Sequence, residues 1–510
     1  MVMELSTLFY LVAAVYALTW ASRRFNRAEK CLQDIPTVGG PNLPFFSYFG
    51  AIHFLVRANK IISDGYSKYK GGSFKIAQVN RWLVFVTDPA LNEELRKAPE
   101  DQMSSPAALH QYVQGLYTMG FGLDGMLYYI EVLRDQLLRH VNPSPAMLYD
   151  EMQASFQDFI PQNTEWTPIP ALSTSLKLFL RMSNRAFVGT PLCSNSEYLD
   201  LVTEFMNNVF KGAFFYNCLP AFVRPILARW LDLVNPCLDR AVRLLTPIYA
   251  TRVAELEAAG KAEWAGASDD LLSCLVASHY SAARDVRELA RILLVVNLAA
   301  VHTVSQSFTS VLFLLASRPA WQAELRAEAA AALAHGYTRD ALARLRKLDS
   351  FVQESLRFNG LGASHALTNA QVASTKLALT DFALSNGTVI PKGTLVSAPL
   401  RALHLDDEVY PDGASFQPWR FVRAGGEAAP RQSLASTSPT YLPFGHGKSA
   451  CPGRFFAALE LKMVTAYLVL NYDLKLEGDA TEVPPVSWFI TARVPNYKAN
   501  VLVRRRQEKA

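Results

Sequence analysis

The chain has 510 residues, half of them hydrophobic, and a formal net charge of +5. That is enough apolar material for a large core, in one large domain or several average ones. So mild a positive charge, without a dense Lys/Arg block interleaved with aromatics, sets nucleic-acid binding aside. The six cysteines, Cys31, Cys193, Cys218, Cys237, Cys274 and Cys451, include no C-x-x-C pair. That argues against a zinc cage or a disulfide framework, and most of them read as small, reduced core residues.

Residues Leu5 to Ala21 are almost wholly apolar. As a helix they would extend about 25 Å, a little short of a typical hydrocarbon core. Arg23, Arg24, Arg27 and Lys30 follow and would hold the next segment in the cytosol. A cleaved signal peptide is the alternative, but the charge lies after the apolar run and no small-x-small cleavage site stands out. We therefore expect a single-pass anchor over 1–21. A basic, Pro/Gly-rich linker follows over 22–45, with Ile35-Pro36, Gly39-Gly40-Pro41 and Pro44, and a globular domain over 46–510.

Short β-branched and aromatic runs at 73–79 and 82–86 predict strands, and Asp88-Pro89 predicts a helix cap and first turn. From about 145 to 358 the apolar spacing is helical. Its longest run, Arg287 to Ser317, is apolar all round at Leu293-Leu294-Val295-Val296 and predicts a buried central helix. Residues 377–399 predict a hairpin around Asn386-Gly387. A Gly/Ala/Ser-rich loop is expected over 425–438, and a helix over 454–470. The fold class expected is mainly α with smaller β-sheet regions.

The most informative segment is Tyr441-Leu442-Pro443-Phe444-Gly445-His446-Gly447-Lys448-Ser449-Ala450-Cys451-Pro452-Gly453. Its glycines let backbone approach a flat ligand, and its thiol stands just before a helix N-terminus, where backbone N–H groups favour a thiolate. A phosphate loop fails, because Leu442 stands where G-x-x-x-x-G-K-S needs its first glycine.

Phe444, Gly447, Cys451 and Gly453 fit F-x-x-G-x-x-x-C-x-G, and in this the chain resembles the cytochrome P450 superfamily, most closely its fungal membrane-bound members of secondary metabolism. The resemblance runs from about residue 35 to 500. It implies the P450 fold behind a transmembrane helix, with Cys451 as axial ligand of haem b iron and a thiolate that favours cleavage of the O–O bond. Phe444 would pack beside the haem, and Gly447 and Gly453 would let the loop pass beneath it. Glu354-Ser355-Leu356-Arg357 matches the family's E-x-x-R, and Phe416-Gln417-Pro418-Trp419-Arg420-Phe421 its P-E-R-F segment. These imply a structural network of Glu354, Arg357 and Arg420. Ala402 to Tyr410, with His404, Asp406 and Asp407, resembles the stretch that precedes P-E-R-F in fungal members.

Ala299-Ala300-Val301-His302-Thr303-Val304 resembles the oxygen-activation motif, which implies room for dioxygen at 299 and 300 and a proton relay through Thr303. His302 stands where an acid is usual, and an imidazole can also carry protons. The usual haem-propionate partners are replaced by Ser449, by a stretch around Tyr128 to Arg134 that has no tryptophan, and by Thr368 or Asn369. Arg134, Arg139 and Lys448 are the candidate substitutes, because two buried carboxylates need partners.

The implied activity is a monooxygenase that uses O2 and NADPH electrons to oxidise a lipophilic small molecule, terpenoid-type by the fungal resemblance. No flavin domain fits the remaining length, so a separate cytochrome P450 reductase would supply the electrons, at the endoplasmic reticulum membrane with the catalytic domain in the cytosol. A pocket is expected from 103–121, 205–222, 299–303, 361–366 and 488–490. The alternatives are a haem-thiolate isomerase or dehydratase that needs no reductase, and a haem-binding protein without turnover.

Overall fold

The apolar run at 293–296 is the middle of one 32-residue helix, Val286–Ser317, about which the rest of the chain is arranged. Asp285 caps it by accepting from the Arg287 N–H at 2.8 Å, and the chain leaves it at Arg318 before Pro319 opens the next helix. Because its residues are apolar on every side, it is packed on every side. Its neighbours are the helices Ala171–Phe187, Ser196–Cys218, Asn235–Ala259 and Arg454–Asn471. One polar pair sets register in this greasy core: Asn184 donates to the Asn297 side chain at 2.8 Å and receives from it at 3.1 Å.

The computed structural model describes residues 31–42, 46–79, 81–139, 144–259, 270–278, 285–361, 375–422 and 433–507. The anchor expected over 1–21, Thr368, Asn369 and most of the 425–438 loop lie outside these, and nothing is described of the Arg139 side chain. Among the described residues, Val286–Ser317 is the only helix long and apolar enough to cross a membrane, and its burial makes it a core helix.

The strands flank the helices. Ser73–Ala77 pairs antiparallel with Trp82–Val86, which runs parallel to Leu395–Ser397; Lys376–Ala378 and Met103–Ser104 complete a five-stranded sheet. Asp88 caps the following helix through the N–H groups of Ala90 and Leu91, as its sequence predicts. Gly387, at φ +84°, turns the hairpin that pairs Phe382–Ala383 with Val389–Ile390. A second sheet of Thr167–Pro170, Asn500–Arg505 and Tyr472–Leu476 holds a strand in the stretch expected to be helical. Thr-Pro-Ile-Pro carries no strand signal, and its prolines are tolerated because it is an edge strand.

The linker departs from expectation in its second half. Leu32 and Ile35 are buried, Thr37 bridges to Lys75, and the Lys75 ammonium donates to the Leu32 carbonyl. The Lys75 N–H also donates to Pro36 O at 2.8 Å, and the Val38 N–H to Lys75 O at 3.0 Å. Residues 32–38 are thus fastened to the sheet edge, and the globule begins before residue 46.

Candidate active site

A cavity of about 630 Å³ opens between the central helix and the cysteine loop. On the central helix, Ala299, Ala300, Thr303, Val304 and Ser307 line it, three to four residues apart and so on one face. The Thr303 hydroxyl donates back to Ala299 O at 3.1 Å or Ala300 O at 3.0 Å, which holds its oxygen at the wall.

His302 is one position out of phase. It does not line the cavity; its ring packs on Phe210, with centroids 4.8 Å apart. Burial pushes it down to about 4, so it is neutral at physiological pH. His302 thus lacks the orientation that the expected relay role needs.

Opposite the central helix, Pro443, Phe444, Lys448 and the run Ser449 to Gly453 form the other wall. Gly445 and Gly447 take positive φ angles of +69° and +72°, which fold the loop back so that the Cys451 N–H donates to Phe444 O at 2.8 Å. A side chain at 447 would meet the Arg96 guanidinium, 2.4 Å from where its Cβ would stand. Cys451 directly precedes the turn into the helix Arg454–Asn471, and the Arg454 guanidinium donates to its carbonyl at 2.9 Å. Burial pushes the Cys451 thiol up; the N–H groups of Gly453 and Arg454 and the Arg454 charge oppose this without reversing it. The helix start alone therefore does not make a thiolate here, whereas a bound metal ion deprotonates a coordinating thiol outright.

The charges predicted to form a network meet beneath this wall. Glu354 and Arg357 are fully buried, and their bidentate pair has both N–O distances at 2.7 Å. Arg420 adds contacts to the same carboxylate at 3.1 and 3.2 Å, and the Gln417 N–H adds one at 2.9 Å. Arg357 also donates to the carbonyls of His404, of Gly413 at 2.9 Å and of Ser415 at 3.3 Å, tying the helix Arg346–Phe358 to the 402–420 stretch. Within that stretch, burial and the charges of Arg357 and Arg401 push His404 down to about 3. Its neutral ring accepts the Leu442 N–H at 3.2 Å and so links the stretch to the cysteine loop. Asp407 receives the Gly413 N–H and Tyr410 donates to Thr440 O.

Arg134 and Lys448 both line the cavity, and Arg134 donates to Lys448 O at 3.4 Å. Ser449 instead donates to Glu100 at 3.3 Å. The expected pocket segments divide. Ser105, Leu109, Val113 and Met119 line the cavity from the 103–121 stretch, and so does Leu361, three residues beyond the helix Arg346–Phe358, while 362–366 lie outside the described residues. The 205–222 and 488–490 stretches do not reach it. Phe205, Met206 and Val209 turn into the core, while Phe214, Cys218 and Ile490 line a separate cavity of about 80 Å³. Met126, Leu127 and Ile130 of the helix Leu123–Arg139 take their place, and Arg401 joins the lining. Neither was expected: the first three read as ordinary amphipathic positions, and Arg401 sits alone in Leu400-Arg401-Ala402-Leu403.

The family model for cytochrome P450 matches residues 156–501. The chain belongs to the cytochrome P450 family. It is similar to cytochrome P450 monooxygenase 151 of Postia placenta, with 37% identity over 99% of both chains. Cytochrome P450 monooxygenase 103 of the same fungus is 35% identical over 99% of this chain and 98% of its own length. Cytochrome P450 monooxygenase CYP512U6 of Ganoderma lucidum is 33% identical over 98% and 95%. The chain is thus a cytochrome P450 monooxygenase, of a family that uses haem and dioxygen. The mainly helical architecture with small sheets is the P450 fold.

Proposed function

We propose that this P450 oxidises a lipophilic small molecule, terpenoid in type, with haem held by Cys451. The observation that carries the reading is that one apolar cavity is walled by Cys451 on one side and by Ala299, Ala300 and Thr303 on the other. The residues present suit a haem. Gly453 leaves open space beside the sulfur, where an added Cβ would find only Cys451 Sγ at 3.9 Å. Phe444 is buried along the same wall, Gly447 folds the loop beneath it, and the cavity size is that of an enclosed ligand site. Bound haem would supply dioxygen activation, one oxygen atom entering a C–H bond and the other leaving as water, at the expense of two electrons from NADPH.

This chain's residues would do the rest. Ala299 and Ala300 leave space above the sulfur, the Thr303 hydroxyl passes a proton from the helix side, and the apolar walls around Val113 and Ile130 hold substrate and exclude water. Arg134 and Lys448 face the cavity edge as partners for haem carboxylates. Glu354, Arg357 and Arg420 keep the cysteine loop in register from below.

A separate NADPH-dependent P450 reductase delivers the electrons on the cysteine side, where Phe455 stands exposed beside Arg454. The protein works at the endoplasmic reticulum membrane, anchored by residues 1–21 and facing the cytosol. The globule supports this with an apolar surface. Phe49, Ile52 and Val56 are exposed on the helix Ser47–Lys68, as are Phe214, Phe222, Ile226 and Trp230, and the small cavity lined by Leu55 and Phe214 joins the two groups.

The deciding measurement is the carbon monoxide difference spectrum of the reduced protein. The strongly red-shifted thiolate band is expected from the parent and not from Cys451→Ala, and a parent without it overturns the haem-thiolate reading. With reductase added, NADPH and dioxygen are consumed together with substrate. Conversion of substrate without any electron donor would instead make the enzyme an isomerase or dehydratase.

A further inference from the structure

The helix Arg346–Phe358 ends beside two guanidinium groups that the network around Glu354 does not use. Arg401, on the short helix Leu400–His404, lines the cavity. Its Nη1 donates to Phe358 O at 2.9 Å, and its guanidinium lies 6.0 Å from the Trp488 ring. Arg493, on the strand Ala492–Val494, is buried at 8% exposure and donates to Asn359 O at 3.1 Å and Asn359 Oδ1 at 2.8 Å. Each guanidinium offers five N–H donors, so these contacts leave several unused.

Neither arginine pairs with a carboxylate among the described residues. The nearby acid, Glu354, is already taken by Arg357 and Arg420. The chain between 361 and 380 contains no Asp or Glu, so the segment that leaves this corner brings no acid to it either. Burial and like charge both act against the pair: Arg493 is pushed down to about 9 by its burial and by Arg401, and Arg401 is lowered by burial and by Arg357. Arginine does not escape by shedding its proton, so two positive charges stay together in a water-poor corner, an arrangement that costs free energy until an anion joins it. A planar fork with spare donors at a cavity wall is matched by a carboxylate, which takes two parallel hydrogen bonds.

We propose that Arg401, reinforced by Arg493, is a receptor for a carboxylate inside the cavity. The inference rests on the haem-thiolate reading of this cavity and adds to it. Two sources can supply the group: a haem carboxylate, which would replace the clamp lost at Ser449, or a carboxylate on the substrate, which would make the enzyme select acids among lipophilic molecules.

The test compares parent and Arg401→Gln as holoproteins that display the thiolate band. One arm follows transfer of haem to excess apomyoglobin. The other titrates the haem absorbance with a twelve-carbon fatty acid and with the alcohol of the same length. If the receptor holds haem, R401Q speeds haem transfer about tenfold or more and changes neither titration selectively. If it holds substrate, haem transfer is unchanged and the acid binds about tenfold more weakly while the alcohol is unaffected. Equal haem transfer together with unchanged acid and alcohol affinities overturns the proposal. Should R401Q fail to fold, Arg493→Gln is read in the same two arms for a change of about threefold, and no change in either arm again overturns it. A parent that lacks the thiolate band refutes the haem-thiolate reading itself, which keeps the two failures distinct.

Discussion

Two groups of cations flank the cavity, one buried around Glu354 and one reaching from the half-buried Arg401 to the exposed Arg134 and Lys448, and they are built on opposite plans. Around Glu354, each charge meets its opposite: Arg357 and Arg420 share one carboxylate, and backbone carbonyls receive the remaining N–H groups. Along the cavity, Arg134, Lys448 and Arg401 form no ion pair among the described residues, although Glu100 and Glu131 line the same space. The first group is complete within the chain and so holds the fold. The second lacks such partners within the described residues, which is the arrangement the proposed carboxylate receptor calls for.

The comparison breaks most easily at Glu354. Glu354→Gln leaves Arg357 buried with a neutral partner and is expected to cost about 3–5 kcal/mol, read as a lowered urea midpoint with unchanged slope. A loss below about 1 kcal/mol would mean that the network is not what holds this corner.

Acid attacks the same region by another route. His404 and His302 are held down to about 3 and about 4, below the ordinary 6.5, so the unfolded chain binds protons that the folded one refuses. Their contribution is present above pH 6.5 and is lost as pH falls toward the folded values. For His302 it reaches about 3 kcal/mol over that window. Denaturant midpoints measured from pH 7 to 4 are expected to fall, and less steeply in His302→Phe.

Thr303→Ala tests the cavity side. Its turnover with reductase is expected to drop on the order of 10²-fold with stability unaltered, because its hydroxyl bonds only to its own helix within the fold. The same variant in the background of H302F is expected to behave identically, since His302 faces Phe210. The smallest effect belongs to the exposed rim. Arg134→Gln combined with Lys448→Gln is expected to shift stability by no more than about 0.5 kcal/mol, while haem transfer to apomyoglobin quickens a few-fold.

The local parts of this design can be read from the chain. Gly447, Cys451 and Gly453 act through spacing along one loop, and Glu354 and Arg357 through one helical turn, so pattern alone locates them. The remainder depends on direction and company. Thr303 and His302 are neighbours in sequence, yet about 100° of helical rotation sends one to the cavity and the other to Phe210. Arg401 stands out through its surroundings, where it has no carboxylate partner among the described residues. Leu32 and Ile35 looked like linker until the sheet edge that buries them was in view, and Thr167–Pro170 became a strand through a partner more than 300 residues away.

The fastening of residues 32–38 to the sheet sets the length of a leash. If residues 1–21 sit in the bilayer, as proposed, the ten peptide steps from Ala21 to Cys31 can span at most about 36 Å. With that anchor the globule would stay close to the lipid, and its apolar flank would never be more than a few nanometres from the phase in which a greasy substrate would dissolve.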